Sequence, residues 1–66
     1  MSIVKIIEVI SEGESVEAAI KAAVVEASKT LEHIKQVNVE HIEGLVEGTK
    51  ITKFRIHAKL SFVVHH

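Results

Sequence analysis

Residues 51–64 read Ile51-Thr52-Lys53-Phe54-Arg55-Ile56-His57-Ala58-Lys59-Leu60-Ser61-Phe62-Val63-Val64, and they alternate almost without a break. Phe54, Ile56, Ala58, Leu60, Phe62 and Val64 share one parity, with Thr52; Lys53, Arg55, His57, Lys59 and Ser61 share the other, with Ile51 and Val63. A period of two over that length specifies one long strand with an apolar face and a polar face. Fourteen residues in extended conformation reach roughly 45 Å. Whatever packs on this strand must match that length or leave part of it uncovered.

Working toward the N-terminus, Glu47-Gly48-Thr49-Lys50 has the composition of a hairpin turn. Before it, Val37 and Val39 alternate with Gln36, Asn38 and Glu40, the pattern of a half-buried strand, and Gly44 interrupts the run where a bulge or bend is expected. Symmetric pairing about Gly48-Thr49 puts Glu40 opposite His57, Asn38 opposite Lys59 and Gln36 opposite Ser61 on the polar face. Ser15 is a suitable helix N-cap, with Glu17 in the first turn where the helix dipole favours negative charge. Val16, Ile20, Ala23, Ala27, Leu31 and Ile34 then recur at steps of three and four, predicting a helix that runs to about Glu32. At 1.5 Å per residue such a helix covers about 27 Å, so the hairpin overhangs it. The opening segment, Ser2 to Ile10, reads as a strand with apolar residues on both parities: Ile3, Ile7 and Val9 against Val4, Ile6 and Ile10. Ser11-Glu12-Gly13-Glu14 reads as the turn that follows.

The element order is therefore β-α-β-β. A right-handed crossover makes the first two strands parallel, and the last strand can lie between them. The expectation is an α+β fold: a three-stranded antiparallel or mixed sheet in the order 1-3-2, wrapped around one helix.

Composition limits what such a unit can do. The chain has 66 residues, is 47% hydrophobic, and contains no Cys, Pro, Trp or Tyr. One small domain, residues 1–64, is the ceiling; His65 and His66 read as a purification-tag remnant. A body this small cannot hide so much Ile, Val and Leu within one copy, and no disulfide is available to compensate, so self-association is expected. Val25, opposite the helix stripe, is a candidate contact with another copy. A net charge of −1 gives no basic footprint for nucleic acid, and no apolar run approaches the length needed to span a bilayer. The reading is a cytoplasmic protein without nucleic-acid or membrane partners.

From Ile3 through Phe62 the chain resembles the dodecin family of small flavin-binding proteins. The residues that carry the resemblance are Val4-Lys5-Ile6-Ile7-Glu8-Val9, the Ser11 to Ser15 segment, and Glu17-Ala18-Ala19-Ile20 with Ala22-Ala23 and Ala27-Ser28-Lys29-Thr30-Leu31. Ile42 with Gly44, and Phe54-Arg55 with Lys59, Ser61 and Phe62, complete the set. The resemblance implies a β-α-β-β subunit of a hollow homododecamer that binds and sequesters a flavin, FMN, riboflavin or FAD, and is not an enzyme. It places the cofactor contacts at Gln36, Val37, Glu43 and Arg55. Three of these depart from the family pattern: Gln36 stands where a flavin-stacking Trp is usual, Arg55 where a Gln reads the ring edge, and Glu43 where a basic residue is common. The alternative is a flavin-free variant acting as a structural shell, or binding calcium or another small ligand. For a cation the candidates on the polar face are Asn38, Glu40 and His57, a weak set for calcium because the chain has no Asp. No zinc site is expected, since His41 and His57 fall on opposite strand parities and His33 has no closely spaced partner. No Cys, Tyr or Asp is present to build a nucleophile or an oriented acid-base pair, so catalysis is not expected.

Overall fold

The structure, a computed structural model, describes residues 2–64; the tag reading of His65 and His66 lies outside the described residues. Four elements follow in the expected order: β1 (Ile3–Gly13), α1 (Val16–Ala27), β2 (Ile34–Glu47) and β3 (Lys50–Val64). β3 is the central strand of a three-stranded sheet ordered β1-β3-β2, antiparallel to both neighbours. The α+β, 1-3-2 expectation is met.

Helix and strand limits differ from the sequence reading in an instructive way. β1 continues through Ser11, Glu12 and Gly13, which pair with Ile56, Arg55 and Phe54, so the expected turn is still strand. Pairing to a long neighbour overrides the weak strand preference of Glu and Gly there. The helix begins as read, with the Ser15 hydroxyl accepting the Ala18 N–H at 3.0 Å, but it stops at Ala27 instead of near Glu32. Lys29 and Thr30 donate to the carbonyls three residues back, of Glu26 and Ala27. This tighter turn closes the helix. His33 then takes φ +62°, and its carbonyl accepts the Val63 N–H at 3.1 Å, tying the start of β2 to the end of β3. Leu31 and Ile34 therefore leave the helix stripe, and Ile34 opens β2.

The core is small. Ala19, Ala23, Ile56, Ala58 and Leu60 are its buried residues, and only Ile56 and Leu60 are large. Val9, Val16, Ile20, Val37 and Val39 pack around it, half-buried. Ala19, absent from the expected stripe, is fully buried at its centre. The helix lies close to the sheet because both surfaces are low at the contact: a Cβ added to Gly13 would sit 2.6 Å from the Ala19 amide nitrogen.

A twelve-residue helix covers only about 18 Å, whereas the molecule is 51 Å long. Its radius of gyration is 13.7 Å, against about 11 Å for a compact body of this length. Ile3, Val4, Ile6, Ile10, Val25, Ile42, Val46 and Ile51 are all exposed. The even-numbered face of β1, away from the helix, carries three of them.

Two glycine substitutions separate close packing from generic loss of flexibility. Gly13→Ala has to push the helix backbone away and is expected to lower unfolding free energy by about 1–3 kcal/mol in a urea titration. Gly44→Ala, whose new Cβ meets only the Ile51 side chain at 3.6 Å, is expected to change it far less. In the same assay Leu60→Ala should cost about 2–5 kcal/mol.

Candidate functional site

The face of the sheet turned away from the helix carries the polar residues of all three strands. On β3 these are Lys53, Arg55, His57, Lys59 and Ser61; β1 adds Glu8 and Glu12, opposite Lys59 and Arg55. What β2 contributes is set by bulges. Near the turn, Val46 pairs with Ile51 and Leu45 with Lys53, leaving Thr52 as an extra residue on β3. Further along, Val39 pairs with Ala58 and His41 with His57, leaving Glu40 as an extra residue on β2. The two insertions cancel, so Asn38 faces Lys59 and Gln36 faces Ser61 as expected. Between them the register is moved by one. His41 and Glu43, not Glu40, stand beside His57 and Arg55, and the irregularities flank Gly44 without falling on it.

Charges interlock across the strands. Glu12 Oε2 accepts from Arg55 Nε at 3.0 Å and Nη2 at 2.8 Å. His57 Nε2 donates to Glu43 Oε1 at 2.8 Å. This hydrogen bond, helped by the nearby charges of His57 and Arg55, holds the Glu43 carboxyl below its ordinary value of 4.5. Lys59 Nζ lies 3.6 Å from Glu40 and 3.9 Å from Glu8. The His41 and His57 rings meet edge to face, 5.7 Å between centroids and 88° between planes.

Of the four residues expected to touch a cofactor, Gln36, Glu43 and Arg55 share this polar face, whereas Val37 points to the other side and packs on the core. Gln36 pairs at Ser61, six positions along β3 from Arg55, a separation of roughly 20 Å. One chain therefore does not bring Gln36 and Arg55 to one small ligand. Arg55 and Glu43 are neighbours across β3 and β2, each already bonded to another partner. Among the cation candidates, Asn38 faces Lys59, Glu40 approaches the same ammonium, and His57 is held by Glu43. No three His, Cys, Asp or Glu side chains gather to hold a metal among the described residues. The His41–His57 contact is the feature the sequence reading missed. Its signal was the break in apolar parity on β2, from Val37 and Val39 to Ile42, which requires an extra residue between them.

Among the described residues no helix is long and apolar enough to cross a membrane. Among curated proteins, none matches the chain by sequence. Solved structures do match. An arginine-to-alanine mutant of Thermus thermophilus dodecin aligns with a TM-score of 0.92 at 27% identity over 100% of both chains. A tryptophan-to-phenylalanine mutant of the same dodecin gives the same TM-score, identity and coverage. The dodecin from Streptomyces coelicolor aligns with a TM-score of 0.91 at 24% identity, over 98% of this chain and 94% of that one. The dodecin family model matches residues 3–65, and with β1, α1, β2 and β3 all inside that span, this chain belongs to the dodecin family.

Proposed function

We propose that the protein is a self-assembling binding and storage subunit of the dodecin type, taking up a flavin between copies in a homododecamer and performing no chemistry on it. Membership of the dodecin family is the observation that carries this reading. The exposed aliphatic residues of β1, β2 and β3 support the assembly: Val4, Ile6, Ile10, Ile42 and Ile51 are each more than half exposed in the single chain. Copies that cover these residues gain about 25 cal/mol for every Å² of apolar surface removed from water.

Gln36 and Arg55 lie too far apart along one sheet to share a flavin, so the ligand is held where one copy presents Gln36 and another presents its own strands. Gln36 supplies amide hydrogen bonds to a ring edge, and Arg55 supplies a planar donor set for a carbonyl or phosphate once Glu12 yields it. Stacking by an indole is unavailable, since the chain has no Trp. Each lost aromatic pair removes about 0.5–1.5 kcal/mol beyond area burial. That loss favours a second reading, a shell that holds a different small ligand or an ion and leaves flavin free.

Two experiments test these statements. Titrating purified protein into riboflavin or FMN should quench the flavin fluorescence; unchanged emission with protein at tens of micromolar selects the second reading. Size-exclusion chromatography with light scattering should give a mass near twelve chains, and Val25→Glu, on the exposed helix face, should shift it toward smaller species. A wild-type chain that elutes as a stable monomer overturns the assembly.

A further inference from the structure

The bulge at Glu40 puts two imidazoles next to each other on adjacent strands, with a carboxylate bonded to one of them. We propose that His41 and His57 form a cross-strand chelate for a borderline transition-metal cation, Cu2+, Ni2+ or Zn2+, with Glu43 positioning the His57 ring.

Three observations carry the assignment. The first is distance. Metal–nitrogen bonds of about 2.0 Å at a tetrahedral angle place two coordinated imidazole centroids about 5 Å apart, and the centroids here are 5.7 Å apart with perpendicular planes. His41 is exposed and His57 half-buried, so the chelate has the His41 ring turn about its χ angles to close the difference while Glu43 holds His57. The second is the tautomer. The Nε2–H of His57 donates to Glu43, so the neutral ring keeps its lone pair on Nδ1, and a carboxylate behind a ligating imidazole is the usual arrangement for orienting it and raising its basicity. The third is charge. Four carboxylates (Glu8, Glu12, Glu40 and Glu43) share the surroundings with Arg55 and Lys59, and both cations are already paired, to Glu12 and to Glu8 and Glu40. The surroundings are net negative and favour a cation.

The class of metal follows from the ligands. Imidazole nitrogen suits Cu2+, Ni2+ and Zn2+, whereas Ca2+ and Mg2+ need several oxygens. Glu43 bonds His57 from behind, and no group of three His, Cys, Asp or Glu is placed to hold a metal among the described residues, so two positions or more are left to water or to a second molecule. The site lies some four pairs along β3 from Gln36 and adjoins Arg55 and Glu43; its readout, Cu2+ coordination without flavin present, does not depend on the flavin reading.

The test uses Cu2+ and the 66-residue protein carrying His65→Ala and His66→Ala, which removes these two imidazoles as competing ligands. Electron paramagnetic resonance at one Cu2+ per chain should show hyperfine coupling to two equatorial imidazole nitrogens, and calorimetry one ion per chain. His41→Gln and His57→Gln should each leave one coupled nitrogen and weaken binding at least tenfold, with circular dichroism and assembly size unchanged. Glu43→Gln retains both rings; it should weaken binding about 10–100-fold while two nitrogens stay coordinated. Binding unaltered by His41→Gln or His57→Gln, or absence of Cu2+ binding in the background protein, overturns the chelate. Unaltered affinity in Glu43→Gln overturns the positioning role.

Discussion

The close seating of α1 on β1 and the middle of β3 is the contact on which the rest of this structure depends. Ala19 packs with Ile56 and Ala58, Ala23 and Leu60 are buried with them, and Gly13 passes under the helix start with no room for a Cβ. Low side chains on both surfaces let the backbone elements approach, which excludes water completely at Ala19, Ile56 and Leu60. The same choice limits the core. Alanines bury little area each, so the helix secures only the central third of a sheet far longer than itself. The single chain exposes 4967 Å², against about 4,200 Å² for a typical folded monomer of its mass. Exposed aliphatic residues at both ends and on the back of β1 contribute to the surplus, and covering them is the physical drive for the proposed assembly.

Register is the second organising constraint, and it is where local sequence and tertiary context diverge. β1 pairs with β3 without irregularity over eleven residues. The β2–β3 hairpin instead absorbs three extra residues: Thr52 on β3 and Glu40 on β2, before and after the segment that carries Arg55, His57, His41 and Glu43, and Lys35 at the start of β2. A bulge re-aims side chains by one step without disturbing what lies beyond it, once a second bulge restores the register. The outcome is a polar face that follows simple hairpin symmetry beside the turn and again from Gln36 to Val39, and departs from it in between. That middle holds the Glu12–Arg55 and Glu43–His57 contacts.

Legibility in the sequence follows the same division. The alternation of residues 51–64, the Ser15 cap and the turn at Gly48-Thr49 are local features, and from them the β-α-β-β order and the 1-3-2 sheet could be read. The helix end could not, because Leu31 and Ile34 keep helical spacing while the chain turns at Ser28–Thr30 and left-handed His33. Nor could the continuation of β1 through Gly13, which depends on having Ile56, Arg55 and Phe54 alongside. For the site, the placement of Gln36 opposite Ser61 and Asn38 opposite Lys59 was legible from hairpin symmetry. The pairing of Glu40 with His57 was expected on the same basis, and the bulge replaces it with His41 and brings Glu43 onto the ring.

On the proposed reading, these placements tie ligand uptake to assembly. Gln36 lies near one end of the sheet and Arg55 toward its middle, six positions away along β3, with Val37 directed into the core between the strands and the helix. A planar ligand roughly 10 Å across cannot bridge the roughly 20 Å between them. A ligand that uses both residues therefore takes them from different copies. Binding of that kind stabilises the assembled state over the separated chains by an amount that grows as the logarithm of free ligand concentration above its dissociation constant. Arg55 adds a local threshold, since reaching a ligand means giving up a two-point hydrogen bond to Glu12 at 2.8 and 3.0 Å. That bond is half-exposed and therefore weak in net terms, so the exchange favours an anionic or carbonyl-bearing ligand without demanding much of it. A neutral apolar ligand offers Arg55 nothing in return and leaves the Glu12 pair intact. In the proposed assembly the chemistry of the face thus favours ligands with acceptor oxygens at one edge, whether or not an aromatic ring is present to stack on them.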